Sequence, residues 1–169
     1  MIVISTLMML AGLLAIVPAA ADDLSTPVNI SPINSTFTIE PGPTSYFKDT
    51  KIDTLSLYDA RYKLKSVSIM DITVSTLGPD LGTINGTVKV NGVTLFTYDG
   101  KWSEFNTAQS LLTSKLVKKN QAGVNALMHA LTRREPVVLS VSGVVGKAPA
   151  AKNANSITVY APMQASGIL

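Results

Sequence analysis

The chain has 169 residues, 46% of them hydrophobic and 15% charged, with a formal net charge of +3, one histidine and no cysteine. That length allows a single domain with a real core, so disulfides are not needed for stability. The absence of cysteine excludes a disulfide-stapled miniprotein, thiolate chemistry and a Cys-based zinc site.

Residues 1–21 come first, an apolar run without a charged side chain that ends at Asp22 and Asp23. A helix of that length rises about 1.5 Å per residue and matches a hydrocarbon core of roughly 30 Å. It has no polar face at helical spacing, so a folded-core helix does not fit. Two readings stay open: a signal peptide cleaved after Ala21, on the Ala19-x-Ala21 pattern, or a retained membrane anchor, since no Lys or Arg precedes Lys48. Both send the chain into the secretory pathway, to the extracellular side or the lumenal face of a membrane.

Residues 22–50 read as a Pro-rich lead-in, with Pro27, Pro32, Pro41 and Pro43 leaving only Ser35–Glu40 as a strand. Residues 51–169 then read as one β-rich domain. "KIDTLSLYD", "YKLKSVSIMDITVST" and "GTVKVNGVTLFTYDG" are strand-like segments separated by turn chemistry. Asn91-Gly92, between two alternating runs, predicts a two-residue hairpin turn, because both residues accept positive φ. "SLLTSKLVKK" alternates as a strand with one wet face. The period then changes: Val124, Leu127, Met128 and Leu131 at i, i+3, i+4 and i+7 predict an amphipathic helix over about 120–134. Asn120 is placed to cap it, and a basic last turn with Pro136 beyond ends it. "PVVLSVSGVVG" and "NSITVYAPM" close the chain as strands. The pattern predicts a mainly β fold: an antiparallel β-sandwich of about seven strands with one edge helix.

No residue pattern nominates catalysis. His129 stands alone, no serine lies in G-x-S-x-G or S-x-x-K, no phosphate loop is present, and the carboxylates are scattered. The expectation is a non-catalytic protein without metal or cofactor. Asn34-Ser-Thr and Asn85-Gly-Thr are clean N-glycosylation sequons, whereas Asn29-Ile-Ser is followed by Pro32. Charge is unevenly spread: residues 22–104 carry 7 basic and 10 acidic side chains, residues 105–169 carry 7 basic and only Glu135. The second half therefore reads either as an ordinary solvated surface or as a face for anionic lipid or an acidic wall polymer. Without an Arg-rich cluster or aromatic array, no nucleic acid partner is expected.

Residues 64–169 resemble the late-embryogenesis-abundant type 2 (water-stress and hypersensitive-response) β-sandwich family and its fungal membrane-associated relatives. The resemblance rests on "SVSIMDITVST", "GTVKVNGVTLFTYDG", the strand–helix–strand run "LLTSKLVKKNQAGVNALMHALTRREPVVLSVSGVVG" and "ITVYAPMQASGIL". The family's Asn-Pro-Asn-like turn is replaced by "TLGPDLG". The resemblance carries over no catalytic residue. It implies association with a membrane on its lumenal or extracellular side, and a groove between sheet and helix that holds lipid. Val124, Leu127, Met128 and Leu131 either pack against the sheet as core or, in such a groove, would line the acyl chain, with Lys115, Lys118 and Lys119 at the headgroup. The competing expectation is a structural or adhesive cell-envelope protein, favoured by Ser/Thr richness and sequons.

Overall fold

The computed structural model describes residues 25–150 and 154–169; the apolar run 1–21 lies outside them. Its strands are β1 Thr26–Val28, β2 Ile33–Ile39, β3 Ser45–Ile52, β4 Lys63–Ile69, β5 Thr73–Leu77, β6 Thr83–Val90 and β7 Val93–Lys101. After them come β8 Gln109–Ser110, β9 Val117–Lys119, the helix α1 Gln121–Arg133, β10 Val137–Val145, β11 Asn155–Ala161 and β12 Met163–Ile168. All pairings are antiparallel, in three sheets ordered β3-β10-β6-β7-β9, β2-β11-β5-β8 and β1-β12-β4.

The two smaller sheets are halves of one bent sheet. Only Pro162 separates β11 from β12, and only Met70-Asp71-Ile72 separates β4 from β5. Proline has no N–H for the ladder, so the strand breaks and turns there. The Met70 N–H donates to the Pro162 carbonyl at 2.9 Å, which carries the pairing across the bend. The bent sheet faces the five-stranded one over a core in which Trp102, Phe96, Phe105, Val74 and Ile157 are fully buried.

The mainly β, sandwich-like architecture with one helix among the described residues is as expected, but the strand segments there number twelve rather than about seven. Bends divide long strands in two, and "SVSIMDITVST" becomes β4 and β5. The supposed lead-in over 22–50 is integral, supplying β1, β2 and β3. Pro27 is tolerated because β1 is an edge strand paired only with β12. The alternating run "SLLTSKLVKK" is mostly turn: its first residue, Ser110, ends β8 opposite Thr73, and beyond it only Val117–Lys119 pairs. Its serines explain this: Ser110 and Ser114 hydroxyls accept the Leu112 and Leu116 N–H groups at 3.0 and 3.1 Å, competing with the ladder. "KIDTLSLYD" leaves β3 for a 3-10 turn at Thr54–Ser56, capped by Asp53.

The Asn91-Gly92 turn forms as predicted, with φ of 48° and 83°. α1 matches its predicted span to within one residue at each end, and the Asn120 side chain caps it by accepting the Ala122 N–H at 3.0 Å. It closes the open side of the sandwich between edge strand β4 and β7. A bulge in β7 builds its seat. Val88 pairs with Phe96 but Lys89 with Thr94, so Leu95 is the extra residue, and its carbonyl accepts the Asn120 N–H at 2.9 Å. At Gly123 the helix approaches the Thr94 carbonyl and Leu95 Cα so closely that a Cβ there has no room.

Candidate functional site

The apolar stripe of α1 belongs to the core. Leu127 and Leu131 are 1% and 0% exposed, Val124 is buried and Met128 half-buried. The expected acyl groove is absent at this place: the stripe fills the gap between β4 and β7, and Gly123 holds the helix against the sheet. What remains beside Val124 is an opening of about 50 Å³ under Met70 and Leu112. That is room for a water or two and no lipid chain.

Lys115, Lys118 and Lys119, expected together at a headgroup, occupy two surfaces, and Arg133 lies on a third. Lys118 pairs in register with Thr97 and Lys119 with Phe96, so the two project to opposite faces of the sheet. Lys118 and Lys115 border a groove on the outer face of the five-stranded sheet. Lys119 turns toward Leu112 and Val124. Arg133 lies at the far end of α1, about 18 Å from Gln121 at the helical rise.

Arg134 is committed to structure. It caps α1 in the left-handed conformation at φ 57°. Its guanidinium sits 5.0 Å from the Tyr58 ring centroid, donates to Tyr58 Oη at 2.9 Å and to the Ala60 carbonyl at 2.7 Å, and also reaches the Tyr62 carbonyl. This clamp ties the end of the helix to the β3–β4 connection. Replacing Arg134 with alanine is expected to cost about 2–3 kcal/mol, the range for charge-assisted hydrogen bonds. Arg134→Gly is expected to cost about 1 kcal/mol less, because glycine adopts positive φ freely. Urea titration of both variants checks this; wild-type midpoints for both would mean the clamp contributes nothing.

A different basic cluster forms where the sequence did not point. Thr26 pairs with Gly167, and Gly167 with Leu64, so β1 and β4 start at the same end of their sheet, with β12 between them. There Arg61, Lys63, Arg133 and Arg134 line an open cavity of about 700 Å³, with Thr132 and Glu135. Arg61 forms a 2.7 Å ion pair with Asp59 and holds that carboxyl down to about 2. Lys63 and Arg133 are exposed. Arg61 and Lys63 were missed because only the long-range packing of α1 on β4 brings them to Arg133.

Both sequon asparagines are accessible: Asn34 is exposed on β2 and Asn85 on β6, facing out from the sandwich. His129 is exposed on α1, with Nδ1 3.8 Å from Glu135 Oε2. Among the described residues no group of three or more His, Asp or Glu could hold a metal, and no helix is long and apolar enough to cross a membrane. No family model, curated protein or solved structure matches the chain.

Proposed function

We propose that the protein is a non-catalytic β-sandwich module of the secretory pathway that works at an anionic membrane surface, on its lumenal or extracellular side. One observation carries the reading. The uncharged apolar run 1–21 precedes in sequence a fold whose first described residue, Ser25, lies at the same end of the β1-β12-β4 sheet as Lys63, near Arg61 and Arg133. A chain tethered through that run would present that end to the bilayer, and a cleaved one would reach the surface by its charge. Each basic group near an anionic surface contributes about 1 kcal/mol, fading over a Debye length of about 8–10 Å. The likeness to the late-embryogenesis-abundant type 2 sandwich points the same way. The ligand is the surface itself, since the helix stripe leaves no groove for a chain.

Vesicle co-sedimentation of the chain from Asp22 onward tests the reading. Pelleting with anionic vesicles is expected, little with neutral ones, and release at high salt. The Lys63→Glu/Arg133→Glu variant is expected to bind at least tenfold more weakly, while Lys118→Glu/Lys119→Glu has a smaller effect. Equal pelleting with both lipids, or the reverse order of the two variants, would refute it.

A structural or adhesive role in the cell envelope is the second reading, favoured by the outer face of the β2-β11-β5-β8 half. There the outward positions carry Asn34, Thr36, Thr73, Ser75, Thr158 and Tyr160, none of them charged. Oligomers that form without lipid, or material that stays with the envelope after detergent extraction, would favour it.

A further inference from the structure

The outer face of the five-stranded sheet carries an inference independent of the membrane reading. Register lays one row across all five strands, Phe47–Ser142–Thr87–Thr97–Lys118, beside a second, Ser45–Val144–Asn85–Asp99. With strands about 4.8 Å apart, Phe47 and Lys118 stand roughly 19 Å from each other. The side chains between them are short. They leave an open groove of about 480 Å³ lined by Asn85, Thr87, Thr97, Asp99, Lys115 and Lys118. At the far side Phe47 is 69% exposed, a bare aromatic ring on an edge strand, with Val144 exposed beside it.

Two features separate this face from ordinary solvated surface. First, none of the six groove side chains is engaged in a hydrogen bond or ion pair with the described residues. On the bent sheet, by contrast, hydroxyls pair with each other, Thr36 with Thr158 at 3.0 Å and Ser66 with Ser166 at 2.8 Å. Second, the outward positions carry Lys51, Lys89, Lys101, Lys115 and Lys118 against Asp49 and Asp99, a balance of +3.

We propose that this face binds an extended acidic polysaccharide, one bearing uronate groups. A sugar chain offers hydroxyls at its edges and an apolar C–H face. The groove offers amide, hydroxyl, carboxylate and ammonium groups for the first, and the Phe47 ring for the second. Excess ammonium selects carboxylate-bearing units, and the span suits an oligosaccharide rather than a single sugar. Asp99 within the groove accepts hydrogen bonds from sugar hydroxyls, which leaves the Lys115 and Lys118 ammonium groups for the carboxylates. A protein partner would need an apolar centre, and here the apolar groups lie at the rim.

Affinity electrophoresis of the full chain in mild neutral detergent tests this, in gels carrying polygalacturonate, dextran or no polymer. Asn85 lines the groove, so the protein is made in a host that adds no N-linked glycan. Retardation by polygalacturonate and not by dextran is expected. Lys115→Glu/Lys118→Glu should weaken it at least tenfold and Phe47→Ala several-fold, with Phe47→Tyr restoring it; all three sites are exposed, and melting curves confirm folding. Lys63→Glu/Arg133→Glu, which tests the membrane reading, should be retarded like the wild type. No retardation, equal retardation by dextran, or an unaffected Phe47→Ala overturns the proposal. So does a loss in Lys63→Glu/Arg133→Glu as large as in the groove variant, since general charge attraction would then explain the binding.

Discussion

Replacing Gly143 with alanine is expected to destabilise the sandwich by about 3 kcal/mol or more. Gly143 sits in a rung that runs Tyr46, Gly143, Gly86, Tyr98 across β3, β10, β6 and β7. The two tyrosines lean inward over the two glycines, and their hydroxyls meet at 2.7 Å. Tyr46 Oη is also within hydrogen-bond reach of the Asn85 carbonyl, at 2.9 Å. Burial raises the pKa of both phenols, Tyr98 being almost wholly enclosed, so the pair stays neutral. A Cβ on Gly143 would overlap the Asn85 carbonyl, Tyr46 Oη and Gly86 Cα. Two of these three are backbone of the neighbouring strand, which can yield only by separating β10 from β6. Overpacking a tight core costs about 1–3 kcal/mol where side chains can move, and the displaced phenol pair adds to that. For a domain of this size 3 kcal/mol lowers the melting temperature by roughly 6–12 °C. Gly92→Ala is the control: its φ is +83° but no atom lies within 4 Å, so backbone strain alone acts, at about 1 kcal/mol. A Gly143→Ala variant melting within a degree of wild type would show that the rung is looser than its geometry.

The features legible in the sequence are those whose causes are local. The Asn91-Gly92 turn is fixed by two residues that accept positive φ, and α1 by a four-residue stripe, a cap and a proline. The features that were not legible depend on pairing between distant segments. Gly86 and Gly143 look like weak points in their strands until register sets them under Tyr98 and Tyr46. The prolines of 22–50 argued against strands, yet an edge position removes the objection for Pro27, and the others fall between strands. Lys118 and Lys119 invited grouping because they are neighbours, although on a strand neighbours face opposite ways. The basic end around Lys63 and Arg133 appears only once α1 has packed on β4.

Leu127→Asp is expected to abolish stable folding, and it also decides whether the helix stripe is core or ligand wall. Leu127 is 1% exposed, and α1 packs against both β4 and β7. Removing a leucine of this kind costs about 2–5 kcal/mol through lost burial and the cavity left behind. The aspartate adds a buried charge, and α1 itself carries no Lys or Arg before Arg133. A carboxylate so placed either ionises at high cost or takes up a proton, and both weaken the fold. The sum reaches about 5 kcal/mol, comparable to the entire stability of many domains. The helix has little freedom to slide away, because Gly123 is seated on the Leu95 bulge and Arg134 clamps the opposite end. Leu127→Met should be tolerated at less than about 1.5 kcal/mol, since volume and polarity are nearly kept. Leu127→Asp should give a protein without a cooperative urea transition, whereas exposed Asn125→Asp should melt like the wild type. A lipid-lining wall behaves oppositely: Leu127→Asp would then melt normally and lose bound lipid. That result would turn the packed stripe back into a groove and move the ligand from the membrane surface to the interior.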